Sequence, residues 1–422
     1  MSEIKAKGWR YEHTVILVNF FIWGFVAFDR LLIANLFPWV LPALNINFTQ
    51  AGLIMSVLSV TWALSAVVMG GLSDKVGRRA IILPVTVAFS LLSWISGLAT
   101  GLLSLLGVRA AMGFAEGAYY PAAVAIVAEE STPSRRGFNI GLFQSAFAVL
   151  GMFVCPIYAT RVAASLGWRW ALFLTLIPGI ILAVVFSRFI REPASTAAVI
   201  KARKEGKVLP AGERTKWSDL FKYHNVVVGC CINVFLDGWF TLFASFGMLF
   251  LTNVRHFAPG TAGVMMSVWG IGAFFGYLGL TWLSDQIGRK PAIMLGGFLA
   301  AIATYYMAYV AMGATSITVG MFLMGFFGLG LYPLIGAVVP FEAVPPTLAG
   351  ASAGLVNFMG GILGATVIVT LGGLLADRFG LPVTMLASAV CAFIIAVIAS
   401  ALRESAPKVL ARRAAKLDRV AS

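Results

Sequence analysis

GGLSDKVGRR, residues 70–79, returns as LSDQIGRK at residues 283–290, and Asp74 and Asp285 are 285 minus 74, or 211, positions apart. The correspondence spreads outward from there. AGLIMSV from Ala51 is echoed by AGVMMSV from Ala262, GFAEGAYYP from Gly113 by GFFGLGLYP from Gly325, and Gln144 falls beside Asn357. A period of half the chain means that one structural unit is present twice. In each unit the Asp stands in a short polar turn between two long apolar runs. Gly77 and Gly288 supply the permissive backbone that a tight turn needs.

Composition says what those runs are. Of 422 residues, 60% are hydrophobic and 11% charged, and the mean hydropathy is +0.91. Soluble domains carry roughly 25% charged residues. A run of about 18 or more apolar residues reads as a membrane helix. Such runs occupy roughly 15–40, 49–70, 80–99, 102–128, 138–160 and 169–190, then roughly 225–251, 259–282, 292–312, 315–339, 349–373 and 382–402. The expected fold is therefore an all-α polytopic membrane protein, with twelve transmembrane helices in two pseudo-symmetric six-helix bundles. Residues 1–190 form the first bundle, 191–224 a charged central loop, 225–402 the second bundle and 403–422 a basic tail.

The formal net charge of +14 fits that plan. Lys75, Arg78, Arg79, Arg135, Arg136, Arg289, Lys290, the central loop and the tail all fall on one side, and Lys and Arg gather in cytoplasmic loops. Both termini are expected in the cytoplasm, on a cell (inner) membrane. The basic surplus thus belongs to membrane orientation, not to nucleic acid. The N-terminus runs into the first apolar segment without a cleavage pattern and reads as a retained anchor. Cys155, Cys230, Cys231 and Cys391 lie in apolar segments without metal-ligand spacing. No metal site, cofactor or catalytic motif is expected, so the chain does not read as an enzyme.

Charges inside the spans carry the functional signal. Arg109 and Glu116 lie within the apolar run from Leu102 to Ala128, where a charge costs at least ~2.5 to 3.5 kcal/mol on insertion scales. Seven residues make two helical turns, so both project from nearly one face. Gly113 and Gly117 beside them permit close approach of another helix. Asp29 and Arg30 are buried midway along the first helix, and adjacent residues diverge around a helix. One faces a cavity and the other the fourth helix. A buried Arg offers a fork suited to a carboxylate, and a buried carboxyl near an Arg can carry a proton reversibly. Either pair could instead be a structural ion pair. Asp237, on the seventh helix, is the remaining intramembrane acid, with helix packing and a cavity-facing role both open.

At the turns, Asp74 with Arg78 and Asp285 with Arg289 suit a conformational latch, a role compatible with a simple polar turn. GGLSDKVGRR after the second helix, LSDQIGRK after the eighth, and Arg109 followed by Gly113 and Gly117 resemble the major facilitator superfamily over essentially the whole chain. Within it, FDRLLIAN from Phe28, RAAMGFAEGAYYP from Arg109 and GWRWALF from Gly167 are similar to the anion:cation symporter family. That family includes proton-coupled importers of sugar acids and other organic carboxylates. The resemblance implies alternating access about a central cavity. It assigns proton coupling to Asp29 and Glu116, anion binding or gating to Arg30 and Arg109, and substrate contact to Trp62, Gln144 and Asn357. Tyr119 and Tyr120, beside Glu116, are further candidates.

Three functions follow in order. The first is import of an organic anion with protons by a chain that is sufficient as a monomer. Ala27 stands where sugar-acid importers tend to have Tyr, and Gly364 where relatives often have Pro. A pocket with so few polar partners favours a less hydroxylated acid, aromatic or short-chain. The second function is proton-driven export of drugs or metabolites. It is weakened by a fifth helix that keeps only Gly141, Gly151 and Pro156 of the exporters' Gly-rich pattern. The third, a sensor, lacks a signalling module.

Overall fold

The computed structural model describes residues 10–132, 135–205, 217–345 and 348–412. Among the described residues, twelve helices are long and apolar enough to cross a membrane and no strand occurs. In the first half they are α1 (Tyr11–Leu44), α2 (Phe48–Ser73), α3 (Arg78–Ser96), α4 (Leu102–Glu130), α5 (Arg136–Leu166) and α6 (Trp168–Phe189). In the second they are α7 (His224–Val254), α8 (Pro259–Ile287), α9 (Arg289–Val310), α10 (Gly313–Ala343), α11 (Ala349–Phe379) and α12 (Pro382–Ala399). Every apolar run read from the sequence is one of these helices. Several extend past the run because polar caps close them. At α2 the Asn47 side chain accepts from Gln50 N (2.8 Å) and the Gln50 side chain from Asn47 N (3.1 Å).

An even number of crossings puts Arg10 and Arg412 on one face, here the terminal face, and the α1–α2 turn on the opposite, distal face. The central segment is not only loop. It contains a helix over Ala194–Lys204 and a short turn of helix over Trp217–Leu220. Residues 206–216, between them, and 413–422 of the basic tail lie outside the described residues.

Small residues set the spacing within each half. In the first, Gly113 and Gly117 of α4 abut the backbone at Leu58 and Trp62 of α2. In the second, Gly272 and Gly276 of α8 abut the backbone at Phe322 and Phe326 of α10. A Cβ at any of these positions would meet a carbonyl oxygen, so packing between backbones replaces packing between side chains.

The halves meet mainly towards the distal face. Asp377, at the end of α11, accepts from Phe48 N (2.9 Å), Thr49 N (2.8 Å) and the Thr49 hydroxyl (2.5 Å), capping α2 from across the seam. One turn and more inward, the Ser56 hydroxyl lies 2.7 Å from that of Thr370. Across the molecule, Gly263 and Gly270 of α8 press on Thr160 and Met152 of α5. The hydrogen bonds described between the two halves lie towards the distal face.

Candidate substrate cavity and buried charge cluster

Asp29 and Arg30 diverge as their adjacency requires. Arg30 is half-buried, donates to the Ser59 hydroxyl of α2 (3.2 Å) and lies over the Trp62 ring at 5.5 Å. Asp29 is fully buried on the other side of α1. One of its oxygens accepts from the Ser93 hydroxyl of α3 (3.0 Å), which in turn accepts from the Thr175 hydroxyl of α6 (2.9 Å). Arg30 therefore belongs to the space between the halves and Asp29 to the interior of the first half.

Behind Arg30 sit Arg109 and Glu116 of α4, both with no exposed surface. The Arg109 guanidinium reaches the Asp29 carbonyl oxygen at 3.4 Å and the Met112 sulfur at 3.5 Å. Arg109 Nε and Nη2, both Glu116 carboxyl oxygens and Asp29 Oδ2 have no hydrogen-bond partner, and among the described residues no ion pair joins the three side chains. Leaving a buried polar group unpaired costs about 1–3 kcal/mol, more for a charged one. Five orphaned atoms in one cluster are unusual, and the fixed ion pair open on sequence grounds is not what the fold holds.

The walls of the space between the halves come from both. Trp62, Tyr120 and Gln144 join Arg30 on one side, and Asp237, Tyr277, Tyr332 and Asn357 lie on the other, all half-buried. Gln144 donates to the Tyr120 hydroxyl (2.7 Å). On the opposite wall the Tyr332 hydroxyl donates to Asp237 Oδ1 (2.6 Å), and Asn233 lies 3.4 Å from Oδ2. A series of ring contacts links the walls: Trp62 to Tyr120 (5.9 Å), Tyr120 to Trp23 (4.8 Å), Trp23 to Phe147 (5.8 Å), Phe147 to Phe240 (6.0 Å) and Phe240 to Tyr332 (5.9 Å). A separate cavity of about 520 Å³ opens at the distal face, but its one acid, Asp377, is committed to the cap on α2.

Two of the expected substrate contacts are placed away from the space. Tyr119 turns away from the space, fully buried, and its hydroxyl bonds to Asn19 of α1 (3.1 Å to Oδ1), because neighbouring residues on a helix diverge. Arg109 lies behind α1 instead of lining the opening. Asn357 lines it, yet its amide is committed to the Gly336 and Ala353 carbonyls (3.1 and 2.9 Å). Trp62, Tyr120 and Gln144 are on the wall.

At the terminal face the Asp/Arg turns form braces within each half. Arg78 pairs with Glu129 (2.5 Å), and Glu192 accepts from the backbone N–H of Arg78 (2.7 Å) and Arg79 (2.9 Å). Arg289 pairs with Asp285 (2.6 Å) and Glu342 (2.8 Å), and Glu404 accepts from Arg289 N (2.7 Å). The Asp74 side chain lies outside the described residues. Sequence reasoning missed the four glutamates, although 342 minus 129 is 213 and 404 minus 192 is 212, close to the repeat. It also missed Tyr332, the repeat partner of Tyr120 in GFFGLGLYP.

The Major Facilitator Superfamily model matches residues 20–368. The chain belongs to that superfamily. It is a transporter and not an enzyme, and a multi-pass membrane protein. It is 26% identical over 373 residues to the probable 4-methylmuconolactone transporter of Cupriavidus pinatubonensis, covering 85% of this chain and 82% of that one. It is 26% identical over 402 residues to the D-galactonate transporter of Escherichia coli, covering 89% and 91%. In fold it matches a bacterial homologue of the human lysosomal transporter Spinster, inward-facing and unoccupied. The TM-score is 0.76 at 17% identity, covering 93% of this chain and 97% of that one.

Proposed function

We propose that the chain imports an organic anion together with protons, by alternating access, across a cell (inner) membrane with both ends in the cytoplasm. The observation that carries this is the arrangement around α1. A guanidinium, Arg30, stands on the cavity wall, and directly behind it a sealed cluster of two carboxyls and Arg109 has five polar atoms without partners. Arg30 anchors the substrate carboxylate through its forked donors. Glu116 and Asp29 take up and release the proton, and Arg109 is the charge they answer to. Two relatives whose names specify organic acids or their lactones support the substrate class.

In this reading the terminal face is cytoplasmic and the state described is open to the cytoplasm. Residues 1–190 and 225–402 rock against each other about the cavity, with 191–224 as the connection, and one chain forms the whole pathway. The Asp377 cap on α2 and the contacts of α5 with α8 hold the distal side shut and must part when the cavity opens outward. The braces of Arg78 and Arg289 keep each half rigid while it moves.

Proteoliposomes supplied with radiolabelled carboxylates, with and without an inward proton gradient, test this. Uptake is expected to rise as external pH falls and to stop when a protonophore collapses the gradient. Glu116→Gln is expected to abolish accumulation while leaving counterflow exchange of the anion. Uptake indifferent to the gradient sinks the symport reading. Gradient-driven loss of a cationic or neutral dye, without uptake of any acid, replaces it with export.

A further inference from the structure

The wall opposite Arg30 carries an acid to which no role has been given. Asp237 of α7 is held from two sides, by the Tyr332 hydroxyl and by Asn233, whose own amide is fixed by the Val356 carbonyl (3.2 Å). A carboxylate has about four acceptor positions, and these two neighbours use one on each oxygen. Among the described residues no ion pair joins Arg30 to Asp237. Neither charge is therefore consumed by the other.

Between the poles the surroundings are rings. Trp62, Tyr120, Phe147 and Tyr332, the half-buried rings of the series, offer faces and edges on which a flat ligand stacks. Side-chain donors for a sugar-like chain of hydroxyls are few. Gln144 gives one N–H to Tyr120 and Asn357 gives its amide to backbone carbonyls, which leaves the second Gln144 N–H and the Tyr120 and Tyr277 hydroxyls as the donors on the walls. Substrate hydroxyls without partners bind poorly, and a second carboxylate near Asp237 would be repelled.

We propose that the cavity selects a planar aromatic monocarboxylate bearing a hydrogen-donating or cationic group away from its carboxylate, with Arg30 holding the carboxylate and Asp237 accepting from the far group. This rests on the anion-transport reading and names its substrate class. Asp237 is then a specificity residue whose orientation is fixed by Tyr332 and Asn233.

Calorimetric binding to the full-length protein in nanodiscs tests it with 3- and 4-hydroxybenzoate, their methoxy counterparts, benzoate and D-gluconate. The hydroxy acids are expected to bind about tenfold or more tightly than the methoxy acids, since the latter bring no donor to a buried charged acceptor. Asp237→Ala, which removes the acceptor altogether, is expected to reduce that ratio towards one. Tyr332→Phe, which keeps the carboxylate, narrows the ratio less.

Equal binding of hydroxy and methoxy acids by the unaltered protein overturns the proposal without needing a variant to fold. So does tighter binding of D-gluconate than of any benzoate, or an Asp237→Ala protein that keeps the preference. In each of these the anion reading survives if Arg30→Gln weakens every acid that binds. Absence of binding by all the acids, gluconate included, is instead the failure of the anion reading itself.

Discussion

In the first half, Asp29 accepts from Ser93, Ser93 from Thr175, and Glu116 fills the space beside them. The second half has the same backbone with other contents. Trp239 stands 239 minus 29, or 210, positions after Asp29, and its indole donates to the Thr304 hydroxyl (3.1 Å), 304 minus 93, or 211, positions after Ser93. The position matching Glu116 is Gly328, and the Trp239 ring occupies the room its missing side chain leaves. Met321, fully buried, stands where Arg109 would be. One frame therefore accepts either a satisfied aromatic core or an unsatisfied cluster of charges. A buried ion cluster is often replaceable by apolar side chains at no loss of stability. The charges in the first half are not a requirement of the fold.

That comparison breaks most sharply at Arg109. Arg109→Met gives the first half the residue of the second, and proton-driven uptake is expected to fall at least ~100-fold, as loss of an intramembrane functional charge implies. At acidic pH, where Asp29 and Glu116 hold protons, the melting temperature is expected to be unchanged, because the removed cation then leaves no uncompensated carboxylate. A collapse of stability in detergent would instead make Arg109 a structural group. The reverse substitution is next in size. Trp239→Ala in the second half is expected to cost about 3–5 kcal/mol of stability, read as a lower melting temperature, while proton coupling per folded molecule persists. Loss of coupling with stability intact would show that the second half carries charge chemistry after all.

The sequence made the frame legible because lipid leaves few options: backbone groups must bond within each span, so hydropathy marks every helix. The repeat of GGLSDKVGRR then paired the halves. The divergence of Asp29 from Arg30 followed from helix geometry alone, but which of the two faces the cavity did not. That depends on Ser59 and Ser93, carried on different helices. The same gap separates Tyr119 from Tyr120, since one position of helical rotation decides between core and cavity. Asp237 stayed ambiguous because its partner Tyr332 is 95 residues away. The braces were hidden by distance too, Glu192 being 114 residues from the N–H groups it caps.

Those braces give the smallest effect and the finest test of symmetry. Gly77 (φ 108°) and Gly288 (φ 112°) turn the chain into α3 and α9, exposing helix N-termini to Glu192 and Glu404. A carboxylate on such free N–H groups is worth about 1 kcal/mol. Glu192→Gln and Glu404→Gln are therefore expected to lower the melting temperature by similar, small amounts and to leave uptake rates within about twofold, since an amide oxygen still accepts one of the bonds. If the braces only stiffen each half, the double variant adds the two losses, because sites this far apart do not couple. A rate change confined to one variant would mean that one turn gates the cavity and the other only holds its half together. The comparison between halves would then extend from the membrane interior to the loops of the terminal face.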